Sequence, residues 1–261
     1  MLRRWCILLA MLALAAGTAL TANSASASTT AGTFNPGGTM RLVSGASSHA
    51  HGINKEVSST NWSGYAGTTG TYTSVSASWT QPTGTCKSGD QYAAFWVGLD
   101  GYSSSTVEQT GSEVDCVGRT AEYYAWYEAY PAASKNYSNT VKPGDHFNAS
   151  VTYEGSNKFA LDIADTTRGW SHNTTVTVAG AARSSAEVII EAPCCTNSGG
   201  ILPLADFGTV NISGSLANGS AIGNAGGVTE IIMQDSAGRD EDTVSSLSGG
   251  ENFSATWVRS N

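Results

Sequence analysis

The chain has 261 residues, 40% of them hydrophobic and only 13% charged, with 13 Lys+Arg against 21 Asp+Glu. A net charge of −8 with scattered cations argues against a polyanion-binding surface, which needs clustered Lys and Arg. Seven Trp and ten Tyr exclude a disordered chain, and no long stretch repeats at helical spacing, which excludes coiled coils and helical bundles.

Residues 1–27 read as a secretory signal peptide. Arg3 and Arg4 precede an apolar run from Trp5 to Ala16, and Ala25-Ser26-Ala27 is an A-x-A cleavage signal. The run is too short for a stable membrane anchor, so the protein is expected to be secreted and free of the membrane after cleavage. Residues 28–58 are rich in Ser, Thr, Gly and Ala and read as a propeptide or flexible arm. Arg41, Lys55, His49 and His51 sit in it against one acid, Glu56, which suggests an electrostatic hold on the acidic body. Residues 59–261 form the expected domain.

In that domain the apolar segments alternate with period two. They are Val75–Trp79, Ala121–Glu128, Phe147–Tyr153, Phe159–Ile163, Thr174–Val178, Ala186–Glu191, Phe207–Ile212, Glu230–Met233 and Phe253–Val258. Pro- and Gly-containing turns separate them, among them Asn218-Gly219. Short alternating strands with no intervening helical pattern predict an all-β antiparallel sandwich with two broad sheets.

Elimination narrows the chemistry. The domain has two histidines, His146 and His172, both read as loop or turn residues, and there is no G-x-S-x-G elbow. There is no H-E-x-x-H and no C-x₂-C pair, so no metal site is expected. Nothing resembles a nucleotide-binding loop, and no cofactor is expected. Cys86, Cys116, Cys194 and Cys195 are an even set in a secreted chain and imply disulfides with three possible pairings. Any enzyme chemistry should rest on carboxylates and amides.

Four segments then occur in order: Asn61-Trp62-Ser63-Gly64-Tyr65; Ala94-Phe95-Trp96-Val97-Gly98-Leu99-Asp100-Gly101 followed by Val107-Glu108-Gln109-Thr110-Gly111; Ala125-Trp126-Tyr127-Glu128-Ala129-Tyr130-Pro131; and Ser185-Ala186-Glu187-Val188-Ile189-Ile190-Glu191 followed by Leu204-Ala205-Asp206-Phe207-Gly208. Together they resemble the glutamic peptidases, or eqolisins. The resemblance implies a sandwich of two curved sheets, of concanavalin A-like or jelly-roll type. It also implies a secreted, acid-acting endopeptidase made with a propeptide, and protein or peptide substrates. The family's catalytic Gln maps to Gln109 and its catalytic Glu to Glu191, the second acid of the A-E-x-x-x-E segment; Glu187 is set aside by position. Trp96, Asp100 and Trp126, and more loosely Glu113, map to substrate-binding positions, while Trp62 is expected in the core. The sequence departs from the pattern at Val188 and at the Cys194-Cys195 pair.

The chemistry is coherent on its own terms. A carboxylate with a reference pKa of ~4.3 accepts a proton from water in mild acid, and a primary amide offers donors and an acceptor at one place. A carbohydrate-binding sandwich is the alternative reading. A glycoside hydrolase using Glu187 and Glu191 is disfavoured, because i and i+4 on one strand lie roughly 13 Å apart, beyond the span either mechanism uses. A Cys86–Cys116 bridge is expected to tie the loop before the Ala94–Gly98 strand to the end of the Gln109 segment. It leaves Cys194–Cys195 as a vicinal pair by exclusion. A monomer is expected.

Overall fold

Two β-sheets face each other across a single apolar core. The structure, a computed structural model, describes residues 39–41, 49–51, 54–194 and 200–260. The expected signal peptide, most of the expected arm and Cys195 lie outside the described residues. In chain order the strands are β1 (His49–His51), β2 (Asn54–Ser59), β3 (Trp62–Gly67), β4 (Ser74–Thr80), β5 (Gln91–Leu99), β6 (Val107–Val117), β7 (Thr120–Tyr130), β8 (Lys135–Asn136), β9 (His146–Gly155), β10 (Lys158–Asp165), β11 (Trp170–Thr177), β12 (Ala186–Glu191), β13 (Thr209–Ala217), β14 (Ser220–Ala221), β15 (Thr229–Met233), β16 (Asp242–Val244) and β17 (Phe253–Trp257). The helical content among the described residues is one 3₁₀ turn, Ile222–Asn224.

One sheet has nine strands in the order β1-β2-β15-β3-β12-β5-β6-β7-β8; the other runs β11-β10-β9-β4-β13-β17-β16, with β14 hairpinned onto β13. All pairs are antiparallel except β15 with β2. The all-β antiparallel sandwich read from the sequence is therefore present. The nine-stranded sheet extends further toward the N-terminus than residue 59, since Asn54–Ser59 is a paired strand within it.

The core draws on both sheets. Phe95, Val97, Val114 and Val188 come from one, and Val75, Trp79, Phe147, Leu161, Ile163 and Phe253 from the other. Trp79 crosses it to donate from Nε1 to Ser112 Oγ at 2.8 Å. Alternation of the kind seen in β4, whose burial alternates residue by residue, marks strands with one wet face. β12 is buried at every position, as are β5 after its first residue and β6 before its last. Periodicity alone does not single out β5 and β6 for that reason: a second cluster covers their other face.

Some local expectations change. His172 lies inside β11, paired with Ile163, rather than in a loop. Its ring stacks on Tyr137 with centroids 4.1 Å apart, and Nε2 lies 2.6 Å from Asn139 Oδ1. The Asn218-Gly219 turn closes the β13–β14 hairpin with φ of 51° and 75°, the left-handed pair a two-residue hairpin needs. Asn218 Oδ1 also accepts the Thr73 and Ser74 amides, pinning that hairpin to the start of β4. Cys86 and Cys116 form a disulfide across a separation of 30 residues, as expected. Cys194 is also disulfide-bonded, and the expected pairing with Cys195 lies outside the described residues.

Candidate active site

The outer face of the nine-stranded sheet carries the site. Three cross-strand rows run over β3, β12, β5, β6 and β7: Trp62–Glu191–Ala94–Glu113–Tyr124, Gly64–Ile189–Trp96–Gly111–Trp126, and Ala66–Glu187–Gly98–Gln109–Glu128. Side chains in register across a sheet share a face. Four distant motifs therefore place Gln109, Glu191, Trp96, Glu113 and Trp126 on one surface. Trp62 joins them instead of the inter-sheet core, its ring edge-on to Trp96 at 4.9 Å.

Trp96 links the first and third rows. Its Nε1 donates to Glu191 Oε2 at 2.8 Å. The six-membered ring lies over Gly98, where an added Cβ would meet Trp96 Cζ3 at 2.8 Å and Gln109 Cβ at 3.2 Å. Gly111 opens the same strip from the next strand, because a Cβ there would meet Phe95 O at 2.2 Å and Trp96 Cβ at 2.6 Å. The glycines of the second segment are thus explained by packing: they let an indole lie between the amide and the carboxylate.

Gln109 is held by a residue the sequence reading did not single out. Its Nε2 donates to Glu128 Oε2 at 2.7 Å, from the directly opposite position on β7. The signal was present, since Glu128 shares the β7 face with Trp126 and ends the Trp-Tyr-Glu triplet. Burial, and then the nearby charge of Glu191, push the Glu128 carboxyl up to about 9, while the Gln109 bond opposes the shift. Glu128 is therefore protonated in acid and at neutral pH. Glu113 is held well above the usual carboxylate range by burial first, then by Asp115, with Glu191 and Glu128 adding to it. Asp115 takes a hydrogen bond from Tyr124 and is itself raised to about 6, mainly by burial. The charge of Glu191 thus reaches both Glu128 and Glu113, so its carboxyl lies among the site residues although Glu187 shares the Gln109 row.

Glu187 lies on the same face, four residues before Glu191 on β12. Burial is the main cause that raises its carboxyl, opposed by Ser185 and increased by the charges of Asp100 and Glu108. Asp100, expected at the substrate, spends its carboxylate on loop geometry. It accepts the Arg183 amide at 2.7 Å, the Ser184 amide at 2.9 Å and the Ser104 hydroxyl at 3.1 Å. These bonds support a φ of 70°, an uncommon conformation for a non-glycine residue. Asp100 therefore ties the end of β5 to the segment that leads into β12.

Gln109, Glu191, Glu113 and Trp126 are fully buried. Among the described residues, Trp62 Nε1, Trp126 Nε1 and Gln109 Oε1 are buried without a hydrogen-bond partner. Such atoms are uncommon in folded proteins. These three on one face suit a peptide backbone, which brings both donors and acceptors. No group of three or more His, Cys, Asp or Glu is arranged to hold a metal among the described residues.

Residues 60–257 match the Peptidase A4 family. The chain belongs to that family. It is a peptidase. No curated protein matches the sequence. Similar solved structures include scytalido-glutamic peptidase with a transition state analog inhibitor, at 24% identity and a TM-score of 0.67, covering 76% of this chain and 98% of that one. SCP-B, an eqolisin in complex with the tripeptide Ala-Ile-His, aligns at 22% identity and TM-score 0.62 over 76% and 98% of the two chains. Aspergilloglutamic peptidase from Aspergillus niger aligns at 24% identity and TM-score 0.57 over 64% and 99%. At these identities the likeness concerns the fold, and it agrees with the sandwich found here.

Proposed function

We propose that this peptidase is a secreted, monomeric acid endopeptidase that hydrolyses peptide bonds with Glu191 as general base and Gln109 as oxyanion donor. The observation that carries the reading is the pair of hydrogen bonds that orient these two side chains on one face: Trp96 to Glu191, and Gln109 to Glu128. A water between them gives its proton to the Glu191 carboxylate as its oxygen bonds to the scissile carbonyl carbon. The Gln109 amide donates to the carbonyl oxygen as it becomes an oxyanion, a contribution of ~2.7–4 kcal/mol for one well-placed donor. Glu191 then returns the proton to the leaving nitrogen as the C–N bond breaks, so acid and base are one group. Glu128, protonated throughout, accepts from Gln109 without adding a second negative charge beside the base.

Acid operation suits this arrangement. Several carboxyls around the groove are neutral at low pH, so one carboxylate can work without like-charge crowding. The A-x-A leader supports export, and the name of the tripeptide complex of SCP-B supports peptide ligands on this fold. The test is cleavage of denatured protein between about pH 2 and 7 by the purified enzyme, with pepstatin and a chelator in parallel, because a free carboxylate base has a reference pKa near ~4.3. Activity confined to acid and indifferent to both additives is expected. Inhibition by the chelator, or activity only at neutral pH, would remove the mechanism.

A further inference from the structure

One end of the same face gathers carboxyl oxygens that lack partners. On β6 the outward positions after Gly111 are Glu113 and Asp115, two residues apart and therefore side by side. Glu113 lies in the Glu191 row, with Ala94 of β5 between them. Asp115 lies one row further along, between Tyr92 of β5 and Glu122 of β7. From the Glu113 row, Tyr124 reaches over and donates its hydroxyl to Asp115 Oδ2. Glu113 is wholly buried and Asp115 nearly so, while Tyr124 is half-buried and forms the rim.

Both carboxyl oxygens of Glu113, and Asp115 Oδ1, are buried without a hydrogen-bond partner. Asp100 and Asp145, comparably buried, show the alternative. Asp100 accepts two backbone amides and a hydroxyl, and Asp145 accepts the Lys142 amide and pairs with Arg168. Orphan acceptors of the other kind cost free energy until a donor arrives. The surroundings say which donor. Facing the pair are Glu191 on β12, Glu128, Glu122 and Tyr124 on β7, Tyr92 on β5 and Asp90 ahead of it. These neighbours are acids and phenols. Burial, the largest cause, and then the nearby carboxylates hold both groups above their ordinary values, while the Tyr124 bond favours the Asp115 carboxylate. A cation entering here pairs the orphan oxygens and brings a carboxyl back down. A long unbranched stem suits the approach, because its methylenes can lie along the Trp62–Trp126 cluster, against which Tyr124 packs.

We propose that Glu113, Asp115 and Tyr124 form a specificity subsite that takes a basic side chain, lysine or arginine, of the substrate peptide. The proposal rests on the peptidase reading above and adds the side-chain class that the enzyme selects. Acids that only completed the sheet would be tied to amide or hydroxyl donors, as Asp100 is.

The experiment measures kcat/KM of the full-length chain in acid for two series of peptides. In one, each position around the cleaved bond carries lysine in turn; in the other, its uncharged isostere norleucine. At one position lysine should win. The cation lowers a carboxyl in the complex, so its binding releases a proton and is favoured as pH rises toward the free value. The lysine-to-norleucine ratio should therefore grow roughly tenfold from about pH 4 to about pH 6, the gain for one carboxyl lowered by a single unit. Asp115→Asn, which cannot ionise, should flatten that slope and lower the ratio. Tyr124→Phe removes the hydroxyl that favours the Asp115 carboxylate, so the rise should move to higher pH. It keeps both carboxyls and tests the subsite even where Asp115→Asn does not fold. Equilibrium binding of the same peptides to Glu191→Gln, followed by tryptophan emission, should show the same preference without turnover. No lysine preference at any position would overturn the proposal. So would a slope that folded Asp115→Asn retains, or one that Tyr124→Phe leaves at the wild-type pH. If the wild type hydrolyses neither series, the acid-endopeptidase reading falls, and the binding preference alone decides the subsite.

Discussion

In the proposed mechanism Glu191 and Gln109 hold complementary parts of one reaction, so their removal should be non-additive. Glu191→Gln keeps size and hydrogen bonding but cannot take a proton from water. Gln109→Ala removes the oxyanion donor, a step that costs ~10²–10³ in kcat in other hydrolases. Each should nearly abolish acid peptide hydrolysis with circular dichroism unchanged, and the double variant should be hardly worse than either single one. Glu187→Gln should do less harm, because the Trp96 indole holds the carboxyl of Glu191 and not that of Glu187. Wild-type turnover by Glu191→Gln would end the mechanism, and loss confined to Glu187→Gln would move the base by four residues. In the proposed mechanism Glu128 is the positioning residue. Glu128→Ala leaves the Gln109 amide unheld and should lower kcat roughly 10–100-fold with little change in KM, whereas Glu128→Gln, which keeps an acceptor oxygen, should recover most of it.

The elements of the site depend on close approach between strands. β5, β6 and β12 carry the candidate catalytic face on one side and core residues on the other, so neither face tolerates a shift. Gly98→Ala would push a methyl into the Trp96 ring at 2.8 Å and against Gln109 Cβ at 3.2 Å. The expected result is a folded protein with reduced kcat and a weakened Trp96–Glu191 bond, seen as a change in tryptophan emission. An unchanged kcat would show that the indole can move without consequence. The Cys86–Cys116 bridge acts on the same pair of strands, joining the loop before β5 to the end of β6. Closing a loop of that size contributes roughly 3–4 kcal/mol in the chain-entropy model. Replacing both cysteines by Ser should therefore lower Tm by several degrees while leaving the sheet register, and hence the activity of the folded fraction, in place.

For the whole molecule, burial of carboxyls sets the pH dependence of stability. Burial is the first cause of the raised values of Glu108, to about 8, Glu128, to about 9, and Asp242, to about 7, while Glu113 and Glu187 are held well above their ordinary range. The folded state binds protons more tightly than the unfolded chain at each of these groups. Their contribution is complete below the ordinary carboxylate values of 4.5 and 3.8 and is lost as pH rises through the folded values. The native protein should thus be most stable in acid and lose Tm steadily between about pH 5 and 9, the reverse of the acid denaturation typical of salt-bridged proteins. Calorimetry across that range checks the sign, and Glu108→Gln should flatten the slope. A Tm that rises with pH would contradict it.

Composition and order of residues by themselves determined the class of fold and the chemistry available. Period-two alternation marks strands wherever one face is wet, as in β4, β9 and β10, because side chains there divide between core and water. The motifs around Gln109 and Glu191 pointed to an amide–carboxylate pair. What only the tertiary structure decided is how residues far apart in the chain meet. Strands buried on both faces do not alternate, so β5 and β6 carry no periodic signature, and the pairing of β5 with β12 on one side and β6 on the other puts Gln109 and Glu191 on one surface. Glu128 opposite Gln109 follows from the β6–β7 register, and the placement of Trp62 on the outer face follows from its pairing with Glu191. Local sequence sets which face a side chain can take; cross-strand register sets what it faces.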